Sequence, residues 1–375
     1  MSDDVEDEVR EEMRSTVAAF LDARSGAQGR RSEMAQPHGF DRALHDRAWD
    51  ELGLGALPVP ESLGGLGLGF REVATVVEEF GRRLTPSPLP GTLVTAVLVA
   101  ERVARGGCAA GEEVLERMAR QPLVLAAAGV TPGAGECLAG AGGALSGRLG
   151  AVPFGAVADG FLVVAGTGDA ASVHFVPGDA PGVERTERAA LDHTRRLADI
   201  AFADVPATPL SPPDDGGALA ARLRALVRVS LAAESVAAAR TCLDMTVEHL
   251  TLRRQFGRPL GSFQALKHRC ADLALAVHGA RAAVDYAVRF AASAPHPGEV
   301  DELGDGVGSV AALAKSMAAD TFMDVAAEAL QLHGGVGFTY EHDLHLYLKR
   351  AKSAQLLAGS GPALRRELAD RLADA

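Results

Sequence analysis

The feature that most constrains the fold is a double change of hydrophobic period along the 375 residues. Apolar residues recur at helical spacing over 1–120, short β-type runs separated by Gly, Pro and Asp turns fill 121–212, and the helical period returns over 213–375. Alternating strand and helix units are missing from this pattern. It predicts a multidomain α and β fold: an N-terminal helical domain, a middle antiparallel β-domain and a C-terminal four-helix-bundle domain.

Within the last region, apolar residues recur in a way that predicts a buried helical stripe. Val310, Leu313, Met317, Thr321 and Val325 follow this spacing. Helices of this type, joined by short connections, are typical of a bundle.

Charge and composition exclude several classes of function. Lys and Arg number 37 against 49 Asp and Glu, a net charge of −12, and no basic stripe offsets it, so a nucleic-acid partner is not expected. No apolar run is long enough to span a membrane, and the acidic first residues do not resemble a signal peptide. The 4 cysteines form no CxxC pair, which is typical of free thiols in a reducing cytoplasm.

Two short motifs do not predict a functional site. Gly166–Ala171 fits G-x-G-x-x-A, but a second β-type run follows it where a phosphate-capping helix is required, so we expect a hairpin turn. His342 and His345 have metal-ligand spacing without a clear third ligand, so no metal site is predicted and surface or packing roles are favoured.

Two other stretches combine groups suited to a dinucleotide cofactor. Arg253–Gln264 is an interhelical turn with arginines, amides and an aromatic ring; arginine suits a pyrophosphate, and Phe256 suits an adenine face. Gln331–Thr339 contains three glycines, which let a ligand approach main-chain N–H groups closely. Taken singly, each is equally well an interhelical turn with an exposed polar side chain.

Together with Pro60–Gly67, these two stretches and the domain order resemble the acyl-CoA dehydrogenase family, in particular the actinobacterial type that often forms heteromeric tetramers. The resemblance extends over nearly the whole chain. It implies FAD as cofactor and an acyl-CoA or acyl-carrier thioester as substrate. It also implies a homo- or hetero-tetramer with another acyl-CoA dehydrogenase-like chain, and electron-transfer flavoprotein as electron acceptor.

The resemblance also assigns roles to individual residues. Arg253 would reach the FAD pyrophosphate of a neighbouring subunit, Phe256 would lie by the adenosine and Gln264 near the ribityl chain. Arg228 would face the CoA part of the substrate. The implied cofactor-binding residues are Arg253, Gln255, Phe256, Gln264, Gln331, His333, Gly334, Gly335 and Gly337.

This sequence departs from the family where the chemistry takes place. The family's base is a glutamate at one of two positions, and here these positions hold Ala358 and Val227, neither of which can take a proton. The stretch that lines the flavin ring is reduced to Val130–Cys137, without the family's glutamate and Ser-Asp ending. The later Trp-Ile-Thr strand is replaced by Val152–Gly155.

Three interpretations follow. The chain is the base-lacking subunit of a heteromeric acyl-CoA dehydrogenase, or a homo-oligomeric enzyme whose base has moved, or a non-catalytic binding scaffold on the same fold. For a displaced base the best candidate is Glu234, seven residues and so two turns after Val227 on the same helix face. The alternative role for Glu234 is an interhelical ion pair, which we favour.

Overall fold

The computed structural model describes residues 3–24, 27–140, 142–211, 216–293 and 307–374. Helices come first, two β-sheets follow, and long helices end the chain, which confirms the predicted fold class. The predicted boundary at 212–213 falls outside the described residues. The domain limits therefore stay predictions.

Helices fill the described part of the first 120 residues. Asp41 starts the third of them as an N-cap, since its carboxylate accepts hydrogen bonds from Ala43 N at 2.8 Å and Leu44 N at 3.3 Å. At the start of the fourth, Glu72 accepts from the main-chain N–H of Gly69 at 3.0 Å. The helices are α1 Asp3–Arg24, α2 Ala27–Ala35, α3 Arg42–Glu51, α4 Phe70–Arg83, α5 Leu89–Ala104 and α6 Ala109–Arg120.

The middle region forms two four-stranded sheets, ordered β1-β4-β5-β8 and β2-β3-β7-β6. The strands are β1 Leu125–Ala128, β2 Gly135–Ala139, β3 Ala144–Pro153, β4 Gly160–Ala165, β5 Ser172–Pro177, β6 Val183–Arg188, β7 Leu197–Pro206 and β8 Thr208–Pro209. Strands β4 and β5 pair antiparallel around residues 166–171, which confirms the predicted hairpin turn.

One pairing corrects the prediction of a purely antiparallel domain. Strand β1 pairs with β4 in parallel, with Leu125 opposite Gly160. Between them the chain crosses to the other sheet as β2 and β3 and then returns in its original direction, and parallel pairing requires a crossover of this kind.

Five helices and a small hairpin follow in the described part of the C-terminal region. They are α7 Gly216–Leu252, β9 Arg254–Gln255, β10 Arg258–Pro259, α8 Gln264–Ser293, α9 Val307–His333, α10 Leu344–Leu356 and α11 Gly361–Asp374. The predicted stripe on α9 is only partly right, because Leu313 and Met317 are 43% and 39% exposed. Alanines and Phe322 form the buried face instead, since small residues let α9 pack closely along α7.

The helical regions share one hydrophobic core, in which residues of α4 and α5 pack with residues of α7 and α9. A second core lies within the β region and includes Leu149, Phe161 and Ile200. The first core extends to Leu125 and Val130 at the edge of the β region. This arrangement encloses a cavity where the helical and β regions meet.

Candidate active-site cavity and cofactor face

A cavity of about 110 Å³ lies between α4, α5, β1, α7 and the segment that follows α10. Val227 of α7 and Ala358 after α10 both line it. The two positions at which the resemblance implies a base therefore meet at one cavity. Both side chains are apolar, so neither can exchange a proton there.

The main chain at Ala358 is held on both sides. Ala358 adopts a left-handed conformation with φ 55°, and its N–H donates to Thr131 Oγ1 at 3.2 Å. Its carbonyl accepts from Arg228 Nε at 3.1 Å. The next carbonyl, of Gly359, accepts from Lys315 Nζ. These bonds fix the backbone at the position of the missing glutamate.

Arg228, for which the resemblance implies contact with CoA, is occupied within the chain. Its side chain is 6% exposed, and both terminal nitrogens donate to the carboxylate of Glu367 at 2.9 Å. With Nε on the carbonyl of Ala358, this guanidinium is a positioning group for the segment after α10. The proposed contact with CoA stays a prediction.

Glu234 lines the same cavity and forms the buried ion pairs that we favoured for it. Its Oε1 accepts from Arg195 Nη2 at 2.6 Å and from Arg350 Nη1 at 2.7 Å. Burial alone would raise the pKa of Glu234, but the two arginines lower it below the ordinary value. A carboxylate held in this way is a weak base.

Arg350, a partner of Glu234, also contacts the segment before strand β7. It donates to the carbonyl of Thr194 at 2.7 Å and lies 3.0 Å from the carboxylate of Asp192. The ion-pair cluster, which we define as Asp192, Arg195, Glu234 and Arg350, joins α7 and α10 to the segment before β7. The helices come close here, because a Cβ on Gly81 of α4 would lie 2.9 Å from the Cα of Glu234.

Sequence reasoning missed Arg195, Asp192, Arg350 and Lys315 as contributors to this site. Lys315 is fully buried, and burial lowers its pKa to about 8. A signal for it was present, because it follows an apolar run in α9 and a charged residue at such a position needs a specific partner. Arg195 carried no comparable signal, since its partner Glu234 is 39 residues away.

Two of the residues expected near a flavin ring make contacts within the chain. The hydroxyl oxygen of Thr131 accepts the main-chain N–H of Ala358, and Phe154 is 7% exposed and packs edge-on against Phe40 with ring centroids 5.8 Å apart. Phe154 and Pro153 also line the cavity. A space of about 110 Å³ is smaller than the ~150 Å³ that accommodates benzene in an engineered core, so the cavity itself does not fit a three-ring flavin. A wider groove of about 520 Å³ adjoins the cavity at Thr131.

The other predicted cofactor residues lie on an outer face formed by the turns 253–264 and 331–338. Phe256 is 87% exposed with φ 52°, and its ring meets Phe263 edge-on at 6.0 Å. The guanidinium of Arg258 covers Phe263 at 3.9 Å. The exposed predicted cofactor residues are Arg253, Gln255, Phe256, Gln264, Gln331, Gly334 and Gly335.

Two predicted cofactor residues, His333 and Gly337, are buried and shape this face from beneath. His333 bonds the carbonyl of Ala329 at 2.8 Å and stacks on His249 with centroids 4.2 Å apart. The main-chain carbonyl of His249 accepts the N–H of Arg253 at 2.8 Å. The stacking of the two rings brings the two turns together. Burial lowers the pKa of His333 to about 4, so its ring is neutral at pH 7.

The outer face presents donor groups that suit the phosphates of FAD. A Cβ built on Gly334 or on Gly335 would meet nothing within 4 Å, so a ligand can approach the main chain at both positions. Arg253 presents an exposed guanidinium beside it. These exposed groups are of the kind that binds phosphates.

The described residues contain no group of three or more His, Cys, Asp and Glu side chains able to hold a metal ion. No helix within them is both long enough and apolar enough to cross a membrane.

Comparison with known proteins agrees with this geometry. Family models described as "Acyl-CoA dehydrogenase, N-terminal domain" and "Acyl-CoA dehydrogenase, C-terminal domain" match residues 7–122 and 214–373. The protein named Acyl-CoA dehydrogenase IpdE2 of Mycobacterium tuberculosis is 38% identical over 360 residues, which cover 96% of each chain.

Solved structures agree as well. One described as a Tcur3481-Tcur3483 steroid ACAD G363A variant aligns with a TM-score of 0.86 at 26% identity, covering 98% of each chain. The ChsE4-ChsE5 complex from Mycobacterium tuberculosis aligns with a TM-score of 0.83 at 27% identity, again over 98% of each chain. Sequence and structure together show that this chain belongs to the acyl-CoA dehydrogenase family.

Proposed function

We propose that this chain is the base-lacking subunit of a heteromeric, FAD-dependent acyl-CoA dehydrogenase. In this proposal it completes the FAD site of a partner that carries the glutamate. The observation that carries the proposal is that Val227 and Ala358 line the same cavity. With both positions apolar and Glu234 held by two arginines, nothing at that cavity is suited to remove an α-proton.

The reaction in question is the α,β-dehydrogenation of an acyl thioester, carried by CoA or by a carrier protein. FAD supplies the hydride acceptor when it is bound. The contribution of this chain is binding: Arg253 offers a bidentate fork to a pyrophosphate, Phe256 offers an aromatic face, and Gly334 and Gly335 leave their main chain accessible. Gln255, Gln264 and Gln331 add exposed amides.

Exposed apolar side chains around the outer face support assembly into a tetramer. Phe338 and Tyr340 are 70% and 68% exposed, and Leu252 and Leu275 are 71% and 73% exposed. Clusters of exposed apolar residues mark interaction sites in soluble proteins. Two structural neighbours are described by pairs of chains, Tcur3481-Tcur3483 and ChsE4-ChsE5, which favours a hetero-oligomer. Electron-transfer flavoprotein as acceptor and a cytoplasmic location belong to the same proposal.

Flavin content tests the proposal directly. The chain purified alone is expected to carry little FAD, whereas co-expression with a glutamate-bearing partner should give a complex with a full complement. The ratio of flavin absorbance to protein concentration measures both. A full complement in the lone chain would refute the base-lacking role.

Turnover provides a second measurement. A positioned general base contributes about 10²–10⁴ in rate, so the lone chain should stay near background with any straight-chain acyl-CoA. The co-expressed complex should exceed it by at least this factor. Comparable turnover by the lone chain would favour the homo-oligomeric alternative with Glu234 as base.

A further inference from the structure

Two buried polar atoms at the cavity have no hydrogen-bond partner among the described residues. They are Nη1 of Arg195 and Oγ1 of Thr85. The two residues are 5% and 4% exposed, and both line the cavity. Buried donors are almost always paired, and an unpaired one costs about 1–3 kcal/mol, so two at one cavity need an explanation.

The other hydroxyls of the cavity wall already have partners. Thr95 donates to the carbonyl of Gly91 at 2.7 Å, and Ser230 donates to the carbonyl of Val227 at 2.8 Å. Much of the remaining wall is apolar, including Val77, Phe80, Val94, Leu125, Leu231 and Leu357. The cavity is therefore largely apolar, and two of its side chains each have a polar atom without any hydrogen-bond partner among the described residues.

The charge balance of the ion-pair cluster indicates which kind of acceptor these two donors can bind. Arg195 and Arg350 are balanced by Glu234 and Asp192, so the cluster has no surplus positive charge. A buried carboxylate would have to lose its hydration without a free countercharge. A neutral carbonyl oxygen satisfies the donors without this cost.

We propose that this cavity binds, without turnover, a compact acyl group that carries a neutral carbonyl oxygen remote from its thioester. Glu234 follows Val227 by two helical turns, roughly 10 Å, so the oxygen would lie well away from the positions of the missing base. The inference rests on the proposed function, because it takes the ligand to be an acyl thioester. A volume of about 110 Å³, against ~150 Å³ for a cavity that binds benzene, suits a group of about four to five non-hydrogen atoms.

Three small probes test this on the full chain: butanone, 2-methyl-1-butene and propionate. Each has five non-hydrogen atoms, and they offer a neutral acceptor, no acceptor and an anion. Each hydrogen bond contributes about fivefold in affinity. We therefore expect calorimetric or NMR titration to give butanone an affinity at least about fivefold above both other probes. Equal affinity for the ketone and the hydrocarbon, or tighter binding of the carboxylate, overturns the proposal.

A matched pair of variants locates the site. Thr85→Val removes an unpartnered hydroxyl at constant shape and should lower butanone affinity about fivefold without loss of stability. Thr95→Val removes a hydroxyl that is already bonded to Gly91 and should leave the affinity unchanged. If Thr85→Val has no effect, the unpaired donors serve bound water and the cavity is no ketone site.

These titrations need neither a partner chain nor FAD. Their failure would remove the inference about the ligand while leaving the flavin-content test unaffected. A catalytic lone chain, conversely, would refute the base-lacking role even if butanone binds as expected.

Discussion

Helix α7 connects two regions that have kept different parts of the family pattern. Val227 and Glu234 face the cavity, and the C-terminus of the same helix leads directly into Arg253 on the outer face. At the cavity, the base positions are apolar and the remaining carboxylate is paired with two arginines. On the outer face, the arginine, the aromatic ring and two of the three glycines implied by the resemblance are exposed.

In the proposed function the two regions have separable roles. A cavity that performs chemistry needs an ionisable group able to exchange a proton, whereas a face that completes a neighbour's site needs accessible donors. The predicted residues of the outer face include accessible donors. The predicted residues of the cavity include no group suited to exchange a proton. A subunit can therefore lose its own catalytic group and still contribute to catalysis through the part that its partner uses.

The largest expected effect tests whether Glu234 is structural. Glu234→Gln keeps the shape but leaves Arg195 and Arg350 without their shared carboxylate. Removing one partner of a buried ion pair costs about 3–5 kcal/mol of unfolding free energy, which chemical denaturation measures. Asp244→Asn is the control, because it breaks the exposed pair with Arg240 and should cost less than about 1 kcal/mol.

The same variant has a distinct pH profile. Because the folded pKa of Glu234 is lowered, its contribution to stability is present above the unfolded value of about 4.3 and is lost as pH falls through the lower folded value. Glu234→Gln should flatten the acid side of the stability curve. A small stability loss combined with loss of substrate-induced flavin bleaching would instead identify Glu234 as the base. The cavity would then not lack a catalytic group.

The second prediction concerns Arg253 on the outer face. Arg253→Ala should weaken FAD retention by the assembled oligomer about 10- to 150-fold, because a hydrogen bond to a charged group contributes roughly 1.5–3 kcal/mol. The folding of the chain itself should change little, since the side chain is exposed.

Fluorescence of released flavin during dialysis measures this retention. Arg254→Ala is the matched control, because Arg254 is the neighbouring exposed arginine and its guanidinium lies toward the carbonyl of Gly257 at 3.5 Å. Equal retention in wild type and Arg253→Ala would refute the pyrophosphate role.

The sequence predicted much of this arrangement because its signals are local. The change of hydrophobic period gives the order of helical and β regions, and the glycines and arginines of each turn lie next to one another along the chain. The parallel pairing of β1 with β4 was not predicted, because it depends on where the chain returns after a crossover. No local pattern encodes that return.

The partners of Glu234 in its ion pairs escaped prediction for the same physical reason. Glu234 meets Arg350 across 116 residues, so only the packed fold brings them together. The misassigned stripe on α9 has another cause. Periodicity gives weight to Leu313 and Met317, but close packing against α7 selects alanines, which carry a weak hydrophobic signal.

The smallest expected effect comes from restoring the missing glutamate. Ala358→Glu in the lone chain should give no measurable gain in acyl-CoA dehydrogenation, with Ala358→Gln as a control of the same size. The new carboxylate would enter an apolar part of the cavity beside Val227 and Leu357, where burial raises its pKa toward that of a useful base.

Basicity alone is insufficient, because the rest of the site does not support the reaction. The N–H of residue 358 already donates a hydrogen bond to Thr131. Phe154 forms part of the cavity wall near which a flavin ring is expected. A hydride acceptor must lie against the substrate at the same moment that the proton leaves. If Ala358→Glu nevertheless gains turnover while Ala358→Gln does not, this chain retains a flavin site of its own. The cavity would then differ from that of an active subunit by a single side chain.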